Sequence, residues 1–284
     1  MLVNCMKHIK LYLSVVIMAL ILGLSSCSYF IPRTNNQISE GTYSGEFYDY
    51  SDFNQLPIYI AEAYNSSDID AYNEVLLNTK AKIIKATIAI RTTISSPLTE
   101  DLISGSGFIF KEDDTHYFAA TNHHVIETDS GTIGFGNAEY EIKAAGDKTY
   151  IQAEVIVSNK DLDLAVIKFP KNDRQDIEIL NISQRLGYRF KANELVLAVG
   201  NPLRFYNNIS IGKYEGITLI ENVDFFVIQH SAEIDEGSSG GALVDVNGNL
   251  LGINTWGLEE GNMSFAIPGF VLYNFLVSND IIES

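Results

Sequence analysis

Ala242-Leu243-Val244-Asp245-Val246-Asn247-Gly248-Asn249-Leu250-Leu251-Gly252-Ile253-Asn254-Thr255 is two short apolar runs separated by an Asn-Gly pair. Runs of this length, bounded by turn residues and rich in branched side chains, read as buried strands. Val246-Asn247-Gly248-Asn249 between them predicts a type I′ hairpin, because that turn needs positive φ at both central residues. Immediately upstream stands Gly237-Ser238-Ser239-Gly240-Gly241. A serine in such a glycine run sits on a tight turn whose backbone N–H groups can point the same way. That pairs a nucleophile with an anion pocket, the combination acyl transfer needs. Gly/Ser runs alone are usually flexible linkers, so the rest of the chain decides.

The same texture extends outward on both sides. β-type runs are Ile83–Ile94, Gly107–Phe110, Tyr117–Thr121, Ala153–Ser158 and Leu164–Phe169, then Leu195–Val199, Gly212–Ile220, Phe225–His230 and Ser264–Ile267. No strand–helix–strand alternation and no internal repeat interrupts them, which points to an all-β sandwich or a pair of barrels. Ser67-Asp68 followed by Ile69, Tyr72, Leu76 and Leu77 predicts a helix over 68–80. Phe270, Val271, Tyr273 and Phe275 predict a closing helix after Pro268. Ser28 to about Gln55 is polar, acidic and aperiodic, and reads as a surface tether.

A chain of 284 residues with 46% hydrophobic and 11% aromatic residues has ample surface to bury and is not a disordered polymer. Its net charge of −17 argues against nucleic acid, which requires a basic face. The N-terminal residues read as a targeting leader. Lys7, His8 and Lys10 precede an apolar run of 14 residues, Leu11 to Leu24, too short for a comfortable membrane span. The run ends Leu24-Ser25-Ser26-Cys27, which resembles a bacterial lipobox. By that resemblance, residues 1–27 are a lipoprotein signal and Cys27 receives the diacylglyceryl group, holding the protein extracytoplasmically at a bacterial membrane. The only other cysteine is Cys5, inside the leader, so the mature domain has no disulfide. No His/Asp/Glu cluster has metal-ligand spacing, and no cofactor is expected.

Five ordered segments carry the chemistry: Gly105-Ser106-Gly107, Thr121-Asn122-His123-His124-Val125, Asp163-Leu164-Ala165, Gly200-Asn201-Pro202 and Gly237-Ser238-Ser239-Gly240-Gly241. In this order they resemble the trypsin-like serine peptidases, in particular the HtrA/Deg branch, over about Ile83 to Val277. The resemblance implies two antiparallel six-stranded β-barrels, about 83–172 and 190–268, with an N-terminal and a C-terminal helix. The peptidase domain would occupy 81–284, preceded by tether and helix over 28–80. It also implies His124 as general base, Asp163 as its orienter, Ser239 as nucleophile, and the N–H groups of Gly237 and Ser239 as the oxyanion hole. The chemistry explains the residue types. A serine hydroxyl attacks well only when an imidazole takes its proton, and a carboxylate fixes the imidazole's tautomer.

Competing residues are set aside by the same pattern. His123 is expected to lie exposed and face away from the cleft, because neighbours at a strand end point oppositely. Asp161 lies two positions early. Ser238 stands where digestive relatives carry an aspartate that pairs with a new N-terminus, so activation by such a cut is not expected. His116 and His230 show no partner pattern and read as surface or core residues.

The resemblance places Thr255, Trp256 and Gly257 along the substrate backbone, by strand addition. The specificity pocket would involve Glu233, Ile234 and Asp235 on one side, with Thr255 and Gly257 on the other. Either Glu233 faces inward and favours Arg or Lys before the cut, or it faces out and Ile234 sets a small apolar pocket. Only 16 residues follow Pro268, too few for the PDZ module HtrA proteins usually append, and the glutamyl endopeptidases show a similar body without one. The expected partners are protein or peptide substrates and a membrane. The rival expectation is a non-catalytic or self-processing protein that keeps the fold as a binding or chaperone-like module.

Overall fold

From Thr87 onward the apolar runs become strands that close on themselves twice. The computed structural model describes residues 38–45, 50–60, 69–95, 99–127, 137–172, 174, 176–200, 208–220, 223–258 and 263–284. Cys27 with the whole leader, and Asn201-Pro202, lie outside them. Among the described residues the order is α1 (Tyr50–Gln55), α2 (Ile69–Ala86), β1 (Thr87–Ser95), β2 (Glu100–Glu112), β3 (His116–Thr121) and α3 (His123–Ile126). Next come β4 (Asn137–Ala144), β5 (Ile151–Asn159), β6 (Leu164–Pro170), β7 (Leu195–Gly200), β8 (Asn208–Leu219) and β9 (Phe226–His230). β10 (Ala242–Asp245), β11 (Leu250–Leu258), β12 (Met263–Pro268) and α4 (Gly269–Ser278) complete it. Neighbours run β1-β2-β3-β6-β5-β4 around one closed barrel and β10-β11-β12-β9-β8-β7 around the other, antiparallel throughout. This is the all-β, double six-stranded barrel expected from the sequence.

The cores follow from the period of two along each strand. On β6, Ala165, Ile167 and Phe169 fill the first barrel together with Ile88, Ile90, Ile109 and Ile142. The alternate residues Leu164 and Val166 join a second core with Leu197, Val199, Val227, Ile253 and the α4 residues Val271, Leu272 and Phe275. A third core fills the second barrel, where Val196, Ala198, Phe226, Ile228 and Leu243 meet Phe53 of α1. Strands buried on both faces read as continuous apolar runs, and for that reason β6, β7 and β10 stood out in the sequence.

Several expectations are corrected. The helix expected over 68–80 runs as α2 to Ala86, so the strand expected from Ile83 starts at Thr87. Ile83 is buried in the shared core, and Thr79 donates its hydroxyl to the Val246 carbonyl at 2.7 Å, which holds the helix on the β10–β11 turn. Strand β4, Asn137–Ala144, was not anticipated. Its Ala138, Tyr140, Ile142 and Ala144 alternate with polar residues, so it never forms an apolar run. The hairpin turn is not type I′. Gly248 alone has positive φ (80°), Gly248 N–H closes on the Asp245 carbonyl, and Asp245 N–H reaches the Asn249 carbonyl. That is a type I turn with a bulged left-handed glycine. Asp245 favours it by accepting, through Oδ1, the N–H groups of Asn247 and Asn249 at 2.9 Å each.

Nor is the stretch before Gln55 wholly a free tether. Gly41 N–H donates to the Ser158 carbonyl of β5 at 2.6 Å, and Thr42 N–H to Asn279 Oδ1 at 2.9 Å. Asn279 Nδ2 returns a bond to the Thr42 carbonyl, and Ser44 N–H reaches Ser278 Oγ. Residues 38–45 therefore lie along β5 and the end of α4, while Phe53 caps the second barrel, tilted against Phe190 and Phe226.

Candidate active site

Four segments from both barrels meet beside the shared core. β3 ends at Thr121, and Asn122 leads into the single turn α3, which carries His124. Asp163 sits in the Lys160–Asp163 turn before β6, its N–H bonded to the Lys160 carbonyl. Its φ is 52°, a left-handed conformation that aspartate tolerates better than most residues. Buried Asn122 donates from Nδ2 to the Asp163 carbonyl at 2.9 Å and so ties this turn to α3.

The carboxylate of Asp163 is held from three directions. Its Oδ1 accepts the His124 backbone N–H at 3.0 Å. His124 Nδ1 lies 3.0 Å from Oδ1 and 2.9 Å from Oδ2. Thr255 of β11, in the second barrel, donates its hydroxyl to Oδ2 at 2.8 Å. An ionised carboxylate only accepts, so His124 Nδ1 carries the hydrogen and Nε2 is left basic. The His124 side chain is 40% exposed and that of Asp163 15%, so the pair opens to solvent on the imidazole side.

Ser239 arrives on a turn that the sequence shapes closely. Ser238 N–H donates to the Asp235 carbonyl at 2.9 Å, and Asp235 N–H returns a bond to Ser238 Oγ at 3.3 Å. Gly237, third in that turn, has φ 91°, the type II geometry that calls for glycine. At Gly240, with φ 84°, a Cβ would fall onto the Ser106 carbonyl and the Thr121 hydroxyl. Among the described residues the N–H groups of Gly237 and Ser239 donate to no protein acceptor, although Gly237 is buried. Buried N–H groups are almost always paired, so an unpaired donor at Gly237 stands out. The Ser239 hydroxyl donates to the Thr255 carbonyl at 3.3 Å and not to His124.

The other candidates fall around this centre. His123 is half-buried on α3 and not exposed at a strand end. The first turn of a helix swings it beside His124, and burial pushes its imidazole below the usual range. Asp161 is exposed, two residues from the carboxylate that grips His124. His116 bonds Thr115 on the surface, and His230 is fully buried, as a core role requires. Glu233 is exposed, and its carbonyl accepts the Ser210 hydroxyl at 2.6 Å. Ile234 is half-buried, and a Cβ on Gly257 would lie 3.3 Å from its Cγ1, so Ile234 and Gly257 face each other. Trp256 packs partly into the shared core. Sequence reasoning placed Thr255 on the substrate side and missed its hydroxyl bond to Asp163. Nothing local signals a partner 92 positions away.

The model of the trypsin-like peptidase domain matches residues 105–253, more than half of the chain. The chain belongs to the trypsin-like peptidase domain family. Members similar to this trypsin-like chain include serine protease HTRA4 of Mus musculus, 32% identical over 204 residues, spanning 69% of this chain and 39% of that protein. Serine protease Do-like HtrB of Bacillus subtilis is 27% identical over 266 residues, spanning 88% and 53%. The chain thus spans about two fifths to one half of the length of these relatives. The crystal structure of the serine endoprotease from Yersinia pestis shares the fold at a TM-score of 0.54 and 24% identity, over 70% of this chain and 64% of that one.

Proposed function

We propose that this trypsin-like chain is an HtrA-type serine endopeptidase. The observation that carries the reading is His124 held at Nδ1 by Asp163, beside a serine turn with two unpaired N–H groups. In the reaction, the Ser239 hydroxyl leaves the Thr255 carbonyl and gives its proton to His124 Nε2 as Oγ attacks the peptide carbonyl. Asp163 keeps the proton on Nδ1 and stabilises the imidazolium. The developing oxyanion takes the N–H groups of Gly237 and Ser239, which give up no protein acceptor to receive it. His124 then protonates the leaving amine, and water repeats the sequence on the acyl-enzyme. No cofactor enters this chemistry. The exposed Glu233 and the Ile234–Gly257 facing pair favour a small apolar residue before the cut.

Ser239→Ala is expected to abolish peptide hydrolysis and labelling by a fluorophosphonate while leaving the melting temperature unchanged. Retained cleavage sinks the assignment. A second reading, a non-catalytic binding module, draws on the Ser239 bond to Thr255, which leaves the hydroxyl away from His124 at rest. The same probe decides it, since only an activated serine is phosphonylated. We further infer lipid anchoring at Cys27 on the extracytoplasmic face of a bacterial membrane, supported by the leader and its Leu24-Ser25-Ser26-Cys27 end. The native protein should partition into detergent and Cys27→Ser should not. Equal partitioning of the two removes the anchor.

A further inference from the structure

The reaction above assigns no task to the Ser106 hydroxyl, which lies fully buried on β2 in the other barrel from Ser239. It donates to the Gly237 carbonyl at 2.6 Å, while the Ser106 backbone N–H donates to the Ser239 carbonyl at 2.8 Å. Its own carbonyl accepts the Thr121 hydroxyl at 2.7 Å, three positions before His124. The remaining bonds of the turn are also fixed. Ser238 N–H goes to Asp235, Gly241 N–H to the Ser238 carbonyl, and Gly240 N–H to the Asn254 carbonyl. Thus the carbonyls of residues 237, 238 and 239 are all occupied, and the N–H groups of 238, 240 and 241 all donate. Only the N–H groups of Gly237 and Ser239 are left over.

We propose that Ser106 is a positioning residue for the oxyanion hole, its hydroxyl locking the Gly237–Ser238 peptide so that the flanking N–H groups converge. This rests on the serine-peptidase reading and deepens it. Gly237 has no Cβ, so the peptide planes on either side of it turn freely unless something outside holds them. An anion pocket must be held to within about 10–20° to function. The Asp235–Ser238 bond fixes one end of the Gly237–Ser238 plane, and the Ser106 hydroxyl fixes the other. Because Ser106 also carries Thr121 on its carbonyl, one residue ties the His124 segment to the Ser239 turn. The hydroxyl does not touch substrate; it acts through Gly237.

The test is Ser106→Ala, which deletes the hydroxyl and keeps the backbone bond to Ser239. The full chain and the variant are compared for kcat and KM on a peptide substrate. Affinity for a peptide boronate, whose tetrahedral adduct places an oxygen in the hole, and melting temperature are measured alongside. kcat is expected to fall about 10-fold to 100-fold, and boronate affinity by a similar factor, with KM held within about twofold. The acidic limb of the pH–rate profile should not move, because the His124–Asp163 pair is untouched. A kcat within about threefold of the parent overturns the proposal, as does a loss appearing in KM. Lower kcat with undiminished boronate affinity also overturns it, since that marks general loosening. A parent chain that neither cleaves nor labels sinks the peptidase reading and this role with it. An active parent unaffected by Ser106→Ala sinks this role alone.

Discussion

At the scale of single residues, His230 shows how far a buried polar group can be pushed. It sits at the end of β9 with no solvent exposure, and neither ring nitrogen has a well-formed partner. Burial lowers its pKa to about 4, opposed only by the Ala232 backbone. It is therefore neutral in the folded protein at neutral pH. Between pH 4 and 6.5 the unfolded chain binds the proton and the folded one does not, so stability is lost as pH falls through that window. The loss amounts to roughly 3 kcal/mol by pH 4. Urea unfolding of the native chain and of His230→Leu at pH 7 and pH 4.5 checks this. The variant should lose markedly less stability on acidification, and parallel losses would rule His230 out. The candidates His124, Asp163 and Ser239 stood out in the sequence because each lies in a fixed local pattern, and the structure brings His124 and Asp163 into contact. The Thr255 hydroxyl on Asp163 and the Ser106 hydroxyl on Gly237 were not, because each joins strands from different barrels.

At the scale of elements, turns were read less surely than strands. Strands buried on both faces announce themselves as apolar runs, whereas β4 is one-sided and was missed. The α2–β1 junction was misplaced by a few residues, because Ile83 and Ile84 suit a helix and a strand equally until packing decides. Two glycines separate the costs that turn geometry imposes. At Gly248 a Cβ would meet only the methyls of Thr79 and Ile83, at 3.5 and 3.6 Å, so Gly248→Ala carries little beyond the left-handed penalty of about 1–2 kcal/mol. At Gly240 the same penalty is joined by collision with Ser106 and Thr121, so Gly240→Ala should cost at least about 2 kcal/mol more and abolish activity. Denaturant titration of the two variants measures the difference. Equal costs would show that the Ser239 turn yields where the structure has it held.

At the scale of the whole molecule, the second barrel is fastened to the segments around it by one buried cation. Arg185 donates from Nη1 to Glu194 Oε1 at 2.6 Å and to Asp245 Oδ2 at 2.9 Å, and all three side chains are at most 3% exposed. Its guanidinium also stands over the rings of Tyr59 and Phe190, at 4.5 and 5.4 Å. This cluster joins the chain before α2, the link between the barrels, and the β10–β11 hairpin. Arg185→Met leaves two buried carboxylates facing each other and should cost about 3–5 kcal/mol. Calorimetry and denaturant unfolding would show it, and a change under about 1 kcal/mol would mean the cluster relaxes into solvent.

The bonds of Gly41, Thr42 and Ser44 to β5 and the end of α4 also set a mechanical path. A load applied to the chain on the N-terminal side of Ile38 is carried first by those few bonds and passes into the first barrel's wall and the last helix. The Ser239 turn is hung from Asp235 and Asn254, outside the first barrel, and from Ser106, on β2 of the first barrel. Asn159 Nδ2 also donates to the Gly41 carbonyl, and Asn159 Oδ1 takes the Leu162 N–H, each at 2.9 Å, so a pull at the front of the molecule is felt one residue from Asp163 before it is felt at the Ser239 turn.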